Sequence, residues 1–141
     1  MAAAHHRFDA RSDSTKPAVL VVEDVVLVRM LIADYLRETG FRVIEASNGE
    51  EAIRVIEAGC PAQLVVSDVH MPGAIMDGLD LARWIHHHRR GVKVILASGV
   101  FATLDPADAH FHEGPLLHKP FRPEELEQRL RSALGDAAPG H

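Results

Sequence analysis

Five residues of this 141-residue chain could do chemistry together: Glu23 and Asp24, which are adjacent, then Asp68, Ser98 and Lys119. Each stands where an apolar run stops. "AVLVV" leads into Glu23-Asp24, "QLVVS" into Asp68, "VKVILA" into Ser98-Gly99, and "PLLH" into Lys119-Pro120. Three carboxylates, a hydroxyl and an ammonium at one edge are a costly set. Two like charges about 4 Å apart repel by about 4 kcal/mol at an effective dielectric near 20. Lys119 supplies one opposing charge. A hard divalent ion with oxygen ligands would supply the rest, and Mg²⁺ typically uses one or two carboxylates, waters and phosphate oxygens. A lone acid at a strand end is usually a helix cap or a solvated loop residue, but four such ends coinciding in one fold are hard to explain as caps.

The elements that must position these residues can be read from the periodicity. Five apolar, β-branched runs recur, at 18–22, 41–46, 63–67, 92–97 and 115–118. Several are almost wholly apolar rather than alternating, as expected of strands covered on both faces of a parallel sheet. Helical patterns separate them. Residues 25–40 place Val28, Leu31, Ile32, Tyr35 and Leu36 at spacings of three and four, with Gly40 as the stop. Residues 48–59 start at Asn48, a candidate N-cap, with acids in the first turn and Gly59 as the stop. Residues 77–90 group Leu79, Ala82, Trp84 and Ile85 and end in cations, and 121–135 carry Pro123 near the first turn and a stripe of Leu126, Leu130 and Leu134. The segment 103–114 is the weakest: Asp105-Pro106 can start a short helix, but no strong apolar stripe follows. The whole predicts an α/β, doubly wound (βα)5 fold with a five-stranded parallel sheet and right-handed crossovers. For strand order 2-1-3-4-5, ligands bind at the carboxyl ends between strands one and three. Strand two ends in Ser47-Asn48, off to one side. The connection after strand three is enlarged, in "HMPGAIMDG".

Composition excludes several classes. Apolar residues make up 47% and the formal net charge is -5, which argues for a packed core and against a nucleic-acid module with its basic patch. The single cysteine, Cys60, allows no intramolecular disulfide and points to a reducing, cytoplasmic setting and a functionally silent thiol. No apolar run approaches the roughly 18 residues a membrane span needs. Residues 1–16 and 136–141 read as disordered tails around one domain, 17–135, and the N-terminus is no secretory signal.

The quoted pieces "VLVVEDVVLVRMLIADYL", "VVSDVHMP…MDGLDLARWI", "VILASG" and "HKPFRPEEL", in this order, resemble the receiver domain of bacterial two-component response regulators. The resemblance covers 17–135 and is nearest the stand-alone, flavodoxin-like type similar to the chemotaxis regulator. It implies that Asp68 is a phosphoacceptor whose carboxylate becomes an acyl phosphate. It implies that Glu23 and Asp24 hold Mg²⁺, Asp24 directly and Glu23 through water, with the backbone carbonyl of His70 completing the protein's share. Lys119 would pair with Asp68 and later with phosphoryl oxygens, Ser98 would be the switch hydroxyl, and the Lys119-Pro120 peptide would be cis. The implied partners are a sensor histidine kinase or histidine phosphotransfer protein and a downstream protein, with neither nucleic acid nor membrane, as a monomer or weak homodimer. Phosphoryl transfer needs positioning and charge neutralisation more than covalent help. A carboxylate nucleophile, a metal and a lysine suffice.

The chain departs from the family pattern in three ways. The family's aromatic three residues before the lysine is here Leu116, so the expectation shifts to Ser98 and the following "GVFAT", with Phe101 as a substitute. The turn "MPGAIMDG" is two residues longer than usual. No effector domain is expected after Gly135, so output would run by protein contact, onward transfer or drainage of a kinase. The "HHH" at 86–88 sits at a helix end, and consecutive helical residues diverge too much for three ligands to one metal. His70 could affect entry of the attacking water, and His118 reads as solvated. Two other readings are a degenerate scaffold and a Mg²⁺-dependent phosphohydrolase. The latter usually has a second acid two residues after its nucleophile, where this chain has His70.

Overall fold

The apolar runs do form strands, and side-chain alternation along them builds two cores. In the computed structural model, which describes residues 15–99 and 104–135, β1 spans Ala18–Val22, β2 Arg42–Ala46, β3 Leu64–Asp68, β4 Lys93–Ser98 and β5 Leu117–His118. The sheet order is β2-β1-β3-β4-β5, all parallel. Every residue of β1 is buried, because both faces of a central strand are covered. Leu20, Val22, Val65, Val94 and Leu96 face one way, toward Val55, Ile56, Leu81 and Ile85. Val19, Val21, Leu64, Val66 and Ile95 face the other, toward Leu36, Leu126 and Leu130.

The helices that supply those covers are α1 (Val26–Glu38), α2 (Gly49–Glu57), α3 (Gly78–His88) and α4 (Pro123–Leu134). Their ends follow capping chemistry. The Asn48 side chain accepts from the Glu51 N–H at 2.8 Å, as its position predicts. Asp77 and Asp80 form a reciprocal capping box at α3, with bonds of 2.8 and 3.1 Å. Pro123 opens α4, and Gly135, at φ 80°, closes it in the left-handed region.

The weakest segment does form the short helix expected of Asp105-Pro106, and three other sequence expectations are modified. The fourth crossover holds a 3-10 helix, Pro106–Phe111, with no buried residue, because its sequence has no apolar stripe to bury as a full helix. Strand β5 has two residues rather than four. Leu31 is not part of the α1 core stripe: it is 70% exposed, and Ala33 and Leu36 are the residues buried. Trp84 stands at the rim of α3, stacked on His88 with ring centres 4.5 Å apart, while Leu81, Ala82 and Ile85 fill the core. Phe101 and the tails 1–14 and 136–141 lie outside the described residues.

Candidate functional site

The acids meet at the carboxyl end of the sheet because backbone bonds carry each strand one step past its last paired residue. The Glu23 N–H donates to the Ala46 carbonyl at 3.1 Å, and the Val69 N–H to the Ala97 carbonyl at 2.8 Å. The Lys119 N–H donates to the Ser98 carbonyl at 2.8 Å, and the Lys119-Pro120 peptide that follows is cis. Carboxylate oxygens of Glu23, Asp24 and Asp68 thereby lie within 4.8 Å of one another. Lys119 enters from β5 and spans two of them: its Nζ donates to Glu23 Oε1 at 2.6 Å and to Asp68 Oδ2 at 3.0 Å. These side chains are largely out of water, 3% exposed for Glu23 and 11% for Asp68. Asp24 reaches solvent at the mouth, and His70 lies exposed two residues beyond Asp68.

A sequence pattern for the response regulator receiver domain matches residues 19–131. The chain belongs to that family. Its place in two-component signalling follows from that membership. As a receiver domain it is 34% identical over 123 residues to a "Probable transcriptional regulator ycf27" of Pyropia yezoensis, covering 86% of this chain and 49% of the relative. It is 36% identical over 140 residues to the "Sensor kinase CckA" of Brucella abortus, covering 95% of this chain and 14% of the kinase. The chain thus spans half or less of these two curated relatives. Among solved structures, the response regulator TrrA of Thermotoga maritima "in complex with Mg(2+)-BeF" superposes with a TM-score of 0.73 at 28% identity, over 82% of this chain and 97% of that one. A response regulator receiver protein from Pseudomonas putida gives 0.74 at 27%, over 85% and 99%. Among the described residues of this receiver domain, no helix is long and apolar enough to cross a membrane.

The electrostatics of the receiver site show an unbalanced acid excess. Burial pushes the Glu23 and Asp68 carboxyls above their ordinary values, and each is only partly drawn back by Lys119. Burial works against the Lys119 ammonium as well, but its bonds to Glu23 and Asp68 outweigh that and hold it above the usual lysine value. One cation is shared among three acids. That is the donor set of a hard divalent ion: oxygen ligands only, partly open to water, with excess negative charge. Mg²⁺ fits it on those grounds.

Ser98 is close in register, pairing with His118 one step beyond the Asp68–Ala97 pair. It is completely buried, and its hydroxyl has no hydrogen-bond partner among the described residues. Leu116 is half-buried and packs on the α2/α3 core. The longer loop after Asp68 is pinned to α2. The Ile75 N–H donates to Glu50 at 3.0 Å, and Met76 lies over Gly49, where an added Cβ would sit 2.6 Å from it.

Two positioning residues escaped sequence reasoning. Arg29 on α1 donates to the Glu23 carbonyl at 2.8 Å and reaches Glu45 of β2 at 3.3 Å, clamping the turn that carries both acids. Its spacing, one helical turn after the Val25 cap and five residues after Asp24, is a usable signal only once the turn's shape is known. Gly78 donates its N–H to the Val69 carbonyl at 2.8 Å, and a Cβ there would collide with the Asp68 carbonyl. A glycine after a helix cap carries no such message in a single sequence.

Proposed function

We propose that this receiver domain takes a phosphoryl group on Asp68 from a phosphohistidine partner, and that the added charge changes which protein it binds. The observation that supports this is the bridging ammonium of Lys119 between Glu23 and Asp68, with Asp24 beside them. An Asp68 oxygen attacks phosphorus in line, the bond from phosphorus to the donor's imidazole nitrogen breaks, and that nitrogen keeps the electron pair. Lys119 is placed to follow the charge, leaving Asp68 for the incoming phosphoryl oxygens as the carboxylate is consumed. Asp24, Glu23, Asp68 and the His70 carbonyl would hold Mg²⁺, which when bound supplies positive charge for the transferring group. The Thermotoga relative's complex with Mg²⁺-BeF supports that assignment.

The buried Ser98 hydroxyl is a donor with no prior commitment, ready to bond a phosphoryl oxygen if the strand end shifts. An open groove of about 490 Å³ runs beside Lys119, lined by Val28, Leu31, Tyr35, Phe121 and Pro123. Together with the exposed Leu27 and Met30 on α1, it suits the apolar face of a helical phosphodonor, a sensor kinase or phosphotransfer protein in a cytoplasmic setting.

The test is intact mass after incubation with Mg²⁺ and acetyl phosphate. One phosphoryl adduct is expected in the parent, lost in Asp68→Asn and in chelator. An adduct that survives Asp68→Asn would overturn the assignment.

A further inference from the structure

A second cluster of ligand-type side chains stands away from the acids, at the end of α3. His86, His87 and His88 close that helix. On the helix, the His86 and His87 rings meet edge to face with centres 5.4 Å apart, while His88 turns away to stack on Trp84. The fold, however, adds a histidine from another element. His110 of the 3-10 helix lies with its ring centre 5.3 Å from that of His86, the planes at 83°. Phe111 backs the pair, 5.2 Å from His86 and 3.9 Å from His110. Two imidazoles sharing one tetrahedral ion, with metal–nitrogen bonds of about 2.1 Å, have ring centres about 5 Å apart. The centre-to-centre spacing matches that of a shared ion, and ring rotations that turn one nitrogen of each imidazole toward a common point would complete the site.

We propose that His86 and His110 form a site for a divalent transition-metal ion of the imidazole-binding class, such as Zn²⁺ or Ni²⁺, which clips the end of α3 to the 3-10 helix. Burial, then Arg90, His110 and His87, hold the His86 imidazole below its ordinary value, so at neutral pH it offers the unprotonated nitrogen a metal requires. The charges around the pair are partly neutralised. Arg83, the nearest cation on α3, is spoken for by Asp80 at 3.2 Å and Asp108 at 3.3 Å. The carbonyls at the end of α3 present the negative pole of the helix. Arg90 opposes. Among the described residues the acidic group is the one place where three ligand atoms are already assembled. The histidine site thus has two protein nitrogens, with water filling the other positions. It binds more weakly than a closed four-ligand zinc site. Imidazole also separates it from the carboxylate site by metal type, since Mg²⁺ prefers oxygen.

The consequence is regulatory. Pro106–Phe111 is the first described element after Ser98, and Arg83–Asp108 with the ring contacts is what fastens it to α3. A metal clip would add a third fastening to the element that follows the candidate switch hydroxyl.

The test uses the full chain with His5, His6 and His141 replaced by alanine, in excess Mg²⁺ to occupy the acid site. Ni²⁺ is titrated while Trp84 fluorescence is read, because this sole tryptophan stacks beside the cluster, and Zn²⁺ is titrated by calorimetry. One-to-one binding is expected, at least about tenfold weaker in His86→Asn and in His110→Asn, and unchanged in His88→Asn, whose ring stacks on Trp84. His110 is exposed, so its replacement leaves the fold intact, which circular dichroism verifies. Parental affinity in His110→Asn would overturn the proposal and assign the metal to α3 alone. Equal binding by all variants, or none by the parent, would overturn it too.

Discussion

At the scale of single residues, the Ser98 hydroxyl is the most exposed to a decisive experiment. A buried hydroxyl without a partner costs about 1–3 kcal/mol relative to a satisfied one. Ser98→Ala is therefore expected to leave stability unchanged or raise it by about 1 kcal/mol, read from urea melts. The same variant should lose the phosphorylation-induced spectral change, read by amide chemical shifts with acetyl phosphate and Mg²⁺. A large drop in stability would mean the hydroxyl is engaged at rest. The contrast between residues explains what was legible. Glu23, Asp24, Asp68 and Lys119 could be placed together because a strand end is visible as the stop of an apolar run, and the sheet then does the rest. The state of Ser98 was not, since satisfaction of a hydroxyl depends on atoms from several elements. Arg29 was invisible for the same reason: its target is a backbone carbonyl, and backbone carries no sequence signal.

At the scale of elements, the start of α3 is packed against the end of β3 with no room between them. Gly78→Ala would push a methyl into the Asp68 carbonyl. Overpacking of this kind costs about 1–3 kcal/mol and here also tilts the strand end that aims the carboxylate. Expected are a lower urea midpoint and slower phosphoryl uptake from acetyl phosphate, measured by intact mass over time. Uptake at the parental rate would show that the strand end absorbs the strain. The strands β1 to β4 and four helices were readable because long apolar or amphipathic patterns dominate local choices. The 3-10 helix and the two-residue β5 were less so. Neither has a periodic face, and each is fixed by neighbours: Phe111 against the α3 histidines, Leu117 against β4. Leu31 shows the opposite failure. Its spacing fits the core stripe, but the helix is rotated so that it lines the groove instead.

At the scale of the whole molecule, the acid cluster makes stability depend on pH and Mg²⁺ together. Glu23 and Asp68 hold protons more tightly folded than unfolded. Without metal, their share of stability falls as pH rises above the ordinary carboxylate values of 4.5 and 3.8. Lys119 has the same sign in a higher pH window. Its contribution is present below its ordinary value of 10.5 and is lost as pH climbs through the raised folded value. At neutral pH, Mg²⁺ at a hundred times its dissociation constant should add about 2.7 kcal/mol. That gain should shrink on acidification, as protons compete for the same oxygens. Urea melts with and without Mg²⁺ across this pH range check both signs. A gain that persists undiminished in acid would place the ion elsewhere.

The brevity of β5 has a bearing on time as well as on shape. Its two residues hang on β4 by two register pairs, whereas β1 is held along its length on both sides. Amide protons in β1 and β3 are expected to exchange only through global unfolding, and those of an edge strand this short through local opening, which native-state hydrogen exchange would check. Lys119 follows directly on that strand. The cation that offsets the acids thus follows the sheet's shortest strand, so the resting charge balance of the site is expected to be renewed by local fraying of that edge rather than by whole-domain unfolding.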